Sequence, residues 1–339
     1  MDSITQATLG AAIGEAYLGK KIGYRAALSG AVLGTLPDLD IIANPFVDAV
    51  TQLYFHRGIS HSFLLVTLSA IPVGWVMNRL LKRHDIGWKP WSLLAFWIFL
   101  THVLIDLPTT YGTQVFQPFT NTPYATDAIF IIDPLFTLPL LGGLIAAQVL
   151  RRKRVLGRTL NRAGLAFAGV YLLWGHAIKS HVHAVYQESF HKQFGHYEQL
   201  KTTPNGPTTF LWTGYAIRQD TVYQATYSIF DSDTDLSFTP IPRRSALIEP
   251  YIDDRGTEAL LWFAGGYYTV EEQEDGTLIF YDLRFGRGDF WLTDDAEFVW
   301  ANRIIINENN QAAMFEQFVP SFDARGRNLV LLWDRIWGK

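Results

Sequence analysis

The chain has 339 residues, 49% hydrophobic and 14% aromatic, with a formal net charge of −4. That length accommodates a membrane region plus a further domain. The lack of cysteine excludes disulfides and thiolate metal ligands, so any metal site must be built from His, Asp and Glu. Basic residues stand in short clusters between apolar runs, not along one amphipathic face, so no nucleic-acid partner is expected. Residues 1–199 carry 16 Lys+Arg against 11 Asp+Glu, a balance of +5, whereas residues 200–339 carry 12 against 21, a balance of −9. A basic half with long apolar runs and an acidic half without them read as a membrane part followed by a water-soluble part.

In chain order, the start Met1-Asp2-Ser3-Ile4-Thr5 lacks a basic segment, so no cleavable signal peptide is expected. Residues 4–19 and 26–36 are small and apolar and predict a helical hairpin turning at Lys20-Lys21, with small residues allowing close helix packing. Further apolar runs cover 63–81, 91–107, 129–150 and 163–178. The loops at 20–25, 79–89 and 151–162 are basic, while those at 37–61 and 107–128 hold one basic residue, Arg57. This alternation fits six crossings with the basic loops in the cytoplasm, which puts the chain after about residue 179 outside.

After residue 200, short β-branched and aromatic stretches (210–212, 222–229, 259–263, 267–270, 278–283, 328–333) are punctuated by turns such as Glu274-Asp275-Gly276. They predict strands. The expected architecture is a polytopic α-helical membrane bundle of about six helices (residues 1–180), a polar linker (181–207), and a mostly β extracytoplasmic domain (208–339).

Three polar groups interrupt the first half: Pro37-Asp38-Leu39-Asp40, His56-Arg57-Gly58-Ile59-Ser60-His61-Ser62, and His102-Val103-Leu104-Ile105-Asp106. All offer carboxylate oxygen or imidazole nitrogen, the ligands of hard and borderline metals. On a helix, His102 and Asp106 lie four apart on one face. The six-span topology brings the three groups to the outer membrane boundary, with Asp2, Asp133, His181 and His183 near the same surface. Ionisable residues within apolar runs are costly unless paired, metal-bound or facing a wet cavity. Asp38, Asp40, His56, His61, His102 and Asp106 are therefore the candidate metal ligands, with Asp38, Asp40, Arg57 and Asp106 the candidates for catalysis. Arg57 suits a clamp for an anionic group or an interfacial anchor.

These segments, together with the opening Met1-Asp2-Ser3-Ile4-Thr5-Gln6-Ala7 and Thr109-Thr110-Tyr111-Gly112-Thr113, resemble the YdjM-like family of bacterial inner-membrane proteins, described as candidate metal-dependent hydrolases. The resemblance covers about residues 1–180. Gln6 stands where many relatives carry Thr-His. The order of Asp, His and His-x-x-x-Asp is also similar, as motif only, to zinc-dependent phospholipase C and related nucleases; their final His-x-x-x-Glu has no counterpart, since His183 and Glu188 are five apart.

The resemblance and the residues together imply a membrane-bound hydrolase at the outer face of the cytoplasmic membrane. A divalent metal, zinc first, would activate water against a phosphoester or lipid-linked substrate, and Arg57 would hold an anionic group. Membrane lipids are the expected partners. The rival expectation is a non-enzymatic anchor or regulator whose outer domain binds a partner. A transporter ranks third, because the ionisable residues gather at one face and not at mid-membrane.

Overall fold

The computed structural model describes residues 1–150, 153–293, 297–306, 312–318 and 325–338. Arg151 and Arg152, part of the expected third basic loop, lie outside the described residues. The chain divides into two units: Met1–Ile42 with Phe55–His176, and Ala43–Tyr54 with Ala177–Lys339.

The first unit opens with a helical hairpin, α1 (Ser3–Ile22) and α2 (Tyr24–Thr35). The hairpin turns at Gly23, whose φ of 64° is a left-handed value that glycine accepts at little cost. Lys20 and Lys21 sit instead in the last turn of α1, where cations complement the helix carbonyl ends. The two helices touch through glycine. A Cβ built on Gly10 would lie 2.2 Å from the Gly30 carbonyl oxygen, and one on Gly30 would lie 2.1 Å from that of Gly10. Gly10/Gly14 and Gly30/Gly34 thus form two facing small-x-x-x-small stripes.

A 3₁₀ helix (Pro37–Phe46) follows α2, and α3 (Ala49–Phe55) lies mostly in the second unit. A 3₁₀ turn (Ile59–His61) leads into α4 (Phe63–Leu80), which pairs with α5 (Trp88–Asp106). Ser62 caps α4 by accepting the Leu65 N–H. Trp91, Leu94 and Ile98 of α5 pack with Leu18, Leu33 and Val66. Outside this contact α4 exposes Leu68, Ile71 and Trp75. Then come α6 (Pro134–Val149), capped by Asp133, and α7 (Arg154–Phe194), whose first part belongs to this unit.

The expected six crossings are not all matched by helices of spanning character. Among the described residues, α4 and α5 are long and apolar enough to cross a membrane, and α2 with the 3₁₀ helix at Pro37–Phe46 makes a third if that pair, bent by 46°, counts as one span. The run at 129–150 becomes helical only at Pro134, so α6 is a shorter apolar helix.

The second unit contains two four-stranded antiparallel sheets, each in sequential order. The first holds β1 (Gln199–Pro204), β2 (Leu211–Arg218), β3 (Thr221–Ser228) and β4 (Thr239–Pro242); the second holds β5 (Tyr268–Glu272), β6 (Leu278–Asp282), β7 (Ala301–Ile306) and β8 (Ala312–Phe318). The later part of α7 packs on the first sheet, with Val182, Val185 and Tyr186 against Trp212, Ala225 and Tyr227. Residues 181–207, expected as a linker, therefore hold the end of α7 and strand β1. Two expected strands, 259–263 and 328–333, are helical: they fall in α8 (Arg255–Ala264) and α9 (Arg325–Ile336). In α8, Ala259, Leu260, Phe263 and Ala264 bury one face at helical spacing, and Leu332 and Ile336 do so in α9.

Candidate metal centre

Four side chains meet in the first unit. One donor atom from each of Asp38, His61, His102 and Asp106 lies within 4.8 Å of the other three. His61 Nε2 is 3.2 Å from His102 Nε2, 3.3 Å from Asp38 Oδ1 and 3.4 Å from Asp106 Oδ2. His102 Nε2 is 3.4 Å from Asp38 Oδ1 and 3.6 Å from Asp106 Oδ2. Four ligands at zinc's usual 2.0–2.1 Å on a tetrahedron stand about 3.3–3.4 Å apart.

The chain delivers these atoms from three places. Asp38 sits in the first turn of the 3₁₀ helix that Pro37 opens. His61 ends the short turn before α4, and His102 and Asp106 occupy the last turn of α5. Arg57 takes a left-handed φ of 53°, which lets its N–H donate to Asp40 Oδ2 at 3.0 Å while its carbonyl accepts from the Gln114 N–H.

The surrounding hydrogen bonds decide where the imidazole protons are. His102 Nδ1 donates to the Gly34 carbonyl at 2.8 Å. Ser60 Oγ donates to Asp40 Oδ2 at 2.9 Å, so His61 Nδ1 donates to Ser60 Oγ, also at 2.9 Å. Both Nδ1 atoms therefore carry hydrogen, and in the neutral imidazoles both Nε2 atoms present lone pairs. Two lone pairs and two carboxylate oxygens thus face one point. His61, His102 and Asp106 are almost fully buried, and Asp106 Oδ2 has no hydrogen-bond partner. Such a convergence of acceptors calls for a positive charge at its centre. The same pull acts on His61: burial opposes its charged form, yet the Asp106 and Asp38 carboxylates hold its pKa above the usual imidazole range. Second-shell partners of this kind, a carbonyl on one histidine and a hydroxyl–carboxylate relay on the other, orient metal-binding imidazoles.

The other oxygen of Asp106 is held separately. Its Oδ1 accepts from the Met1 amine, from Gln6 Nε2 at 3.1 Å and from Arg57 Nη2 at 3.1 Å. Arg57 Nη1 donates to Thr109 Oγ1 at 2.8 Å, and the guanidinium lies 5.2 Å from the Tyr111 ring centre. Arg57 is thus a buried partner of Asp106, not an interfacial anchor.

Of the six expected ligands, four converge. Asp40 and His56 stand beside them as a pair, with His56 Nδ1 donating to Asp40 Oδ1 at 3.0 Å and His56 27% exposed at its side chain. Asp2 caps α1, and Asp133 caps α6 and accepts from Tyr171 Oη at 2.9 Å; neither joins the group. His181 and His183 belong to the second unit. Sequence reasoning missed the Gly34 carbonyl and gave no role to Gln6. A backbone carbonyl leaves no side-chain signal, but a glutamine inside an apolar helix asks for a partner.

Comparison with known proteins gives the group a context. A sequence model described as YdjM inner membrane protein matches residues 1–182. The chain is similar to the "Uncharacterized protein YfhP" of Bacillus subtilis (strain 168), 31% identical over 143 residues, or 40% of this chain and 42% of that protein. It is also similar to the "Inner membrane protein YbcI" of Escherichia coli (strain K12), 30% identical over 117 residues, or 33% of this chain and 63% of that protein. The matches span less than two thirds of either relative. No solved structure matches. With more than half its length matched, including all four converging donors, the chain belongs to the YdjM inner membrane protein family.

Proposed function

We propose that the protein is a membrane-bound metal-dependent hydrolase acting at the outer face of the inner membrane, on a phosphoester or lipid-linked substrate. The observation that carries this reading is the meeting of four donor atoms from Asp38, His61, His102 and Asp106. The two-nitrogen, two-oxygen set suits zinc among the common divalent ions. A divalent ion there supplies Lewis-acid polarisation of a phosphoryl or acyl oxygen and a water of lowered pKa.

The protein groups divide the remaining work. Asp38 is the one donor with appreciable access, 19% at its side chain, so substrate approaches on its side. Arg57, Gln6 and the Met1 amine fix Asp106 through Oδ1 and leave Oδ2 for the ion. Asp40 is occupied by three donors, from His56, Ser60 and the Arg57 N–H. The proton carrier is then His56, which is oriented by Asp40 and open to solvent.

One feature favours a second reading. Four protein donors fill a tetrahedral shell, as in structural zinc sites, whereas catalytic sites keep a position open. In that case the ion stiffens an anchor or regulator. Metal analysis and phosphodiester hydrolysis on the same purified full-length protein separate the two. The hydrolase reading expects about one tightly held ion per chain, loss of the ion in His102→Ala and Asp106→Ala, and hydrolysis that a chelator abolishes and zinc restores. A bound ion without hydrolysis supports the structural reading. If no metal is present and none can be added, both fail.

A further inference from the structure

A second polar feature lies at the far end of α1. Gln6 reaches the metal centre, and Lys20 is fourteen residues further on, about 20 Å along the helix. There a cavity of about 370 Å³ is lined by Glu15, Lys20, Lys21, Tyr24, Gln148 and Arg158, among others. It lies within the first unit, between α1, α6 and the start of α7.

Its lining is graded. Lys20 and Lys21 are exposed and Arg158 is half-buried, so three cations surround the mouth. Deeper in, Glu15 is 7% exposed and its Oε2 accepts from Gln148 Nε2 at 3.0 Å. Gly19 keeps room for that carboxylate, since a Cβ there would lie 2.5 Å from Glu15 Oε1. Exposed apolar side chains stand near the lining residues in sequence: Val149, next to Gln148, is 75% exposed, and Val155, three before Arg158, is 74% exposed. A free anion makes no use of such a rim, but acyl chains cover it. The three cations come from the basic loops that the positive-inside rule assigns to the cytoplasmic side, where basic pockets between membrane helices bind phospholipid headgroups.

We infer that this cavity holds the phosphodiester headgroup of a membrane phospholipid, with Lys20, Lys21 and Arg158 taking the phosphate and Glu15 taking an amine or hydroxyl of the headgroup. The site is separate from the metal centre and does not depend on hydrolysis. A headgroup that carries a hydrogen-bond donor, ethanolamine or glycerol, satisfies Glu15. Choline, with no N–H, leaves the carboxylate without that bond.

Native mass spectrometry of the full chain in detergent micelles tests this, with phosphatidylethanolamine, phosphatidylglycerol or phosphatidylcholine titrated in. The first two should bind, and the third should bind about tenfold more weakly, the loss of one charge-assisted hydrogen bond. Lys20→Gln, Lys21→Gln and Arg158→Gln together should weaken binding about a hundredfold, and each alone about fivefold. The single variants retain the test if the triple variant misfolds. Free glycerol phosphate should not displace the lipid. Unchanged binding in folded variants overturns the site. Equal displacement by glycerol phosphate overturns the lipid as its ligand, and equal binding of phosphatidylcholine overturns the role of Glu15.

Discussion

Replacing Gly10 by alanine should loosen the α1–α2 hairpin and, through it, the metal centre. The added Cβ would fall 2.2 Å from the Gly30 carbonyl oxygen and 2.9 Å from the Gly34 Cα. Ordinary contact requires α2 to retreat by about 1 Å, a gap that forfeits a quarter to a half of each facing dispersion contact. Overpacking of this kind costs about 1–3 kcal/mol. The better helix propensity of alanine returns about 0.5–1 kcal/mol, so the net loss is at most about 2.5 kcal/mol, and relative to alanine controls elsewhere in helices, which share that return, it is the full overpacking cost of about 1–3 kcal/mol. The retreat also carries away the Gly34 carbonyl, which accepts from His102 Nδ1 at 2.8 Å. Loss of such a supporting bond weakens metal binding about 10–100-fold. Gly142→Ala in α6 and Gly169→Ala in α7 are the controls, since a Cβ at either meets nothing within 4 Å. Unfolding in mixed micelles and zinc competition against a chelator should be read on the same preparations. The reasoning is refuted if Gly10→Ala matches the two controls in both stability and zinc affinity.

Three further outcomes are expected, two from the structure and one from the pattern of basic loops. Asp48 accepts two bonds from Arg255, at 2.6 and 3.1 Å, and this pairing holds its carboxyl below the usual carboxylate range; because the folded pKa is depressed, the stabilisation is present above the ordinary value of 3.8 and fades as pH falls below it. Asp48→Asn should therefore cost under about 1 kcal/mol at neutral pH, as the pair is solvent-screened, and nothing in strong acid, as read from denaturation midpoints across pH. Tyr186→Phe removes a donor from the Trp212 and Ala225 carbonyls, at 3.2 and 2.9 Å, and should cost about 1–2 kcal/mol, whereas Gly214→Ala, with a Cβ 2.2 Å from the Tyr186 ring, should cost about 1–3 kcal/mol, both measured by chemical denaturation. A reporter fused after residue 200 should be active only outside the cytoplasm and one at residue 155 only inside; activity of both on one side would overturn the outer-face placement of the site.

Part of the candidate site was legible in the sequence because its residue types are costly where they stand. Asp38, His61, His102 and Asp106 interrupt apolar surroundings and converge in the structure. Asp40 and His56 could not be told from ligands by spacing, because a residue that orients a ligand carries the same donor atoms. The fold was read less evenly. Short β-branched and aromatic stretches between turns pointed to β2, β3, β5 and β6, but 259–263 and 328–333 were too short to separate strand from helix by period alone. The end of α7 read as a linker because its helix is polar except for the stripe of Val182, Val185 and Tyr186 that meets the first sheet. Six apolar runs suggested six crossings, yet only two or three of the resulting helices have spanning length and hydropathy among the described residues.

Three carboxylates, Asp38, Asp40 and Asp106, stand at the candidate metal centre, and one guanidinium, Arg57, and one amine, that of Met1, both pair with Asp106. Counted formally, three carboxylates exceed the two nearby cations by one. A divalent cation bound there would reverse that excess. The same pocket then attracts opposite ions in succession: first the metal, then an anion. A second divalent cation would meet a site already of its own sign, whereas a phosphate or carboxylate would meet an unfilled countercharge. Loading would therefore act as a polarity switch, and affinity for anionic ligands should rise and fall with metal occupancy.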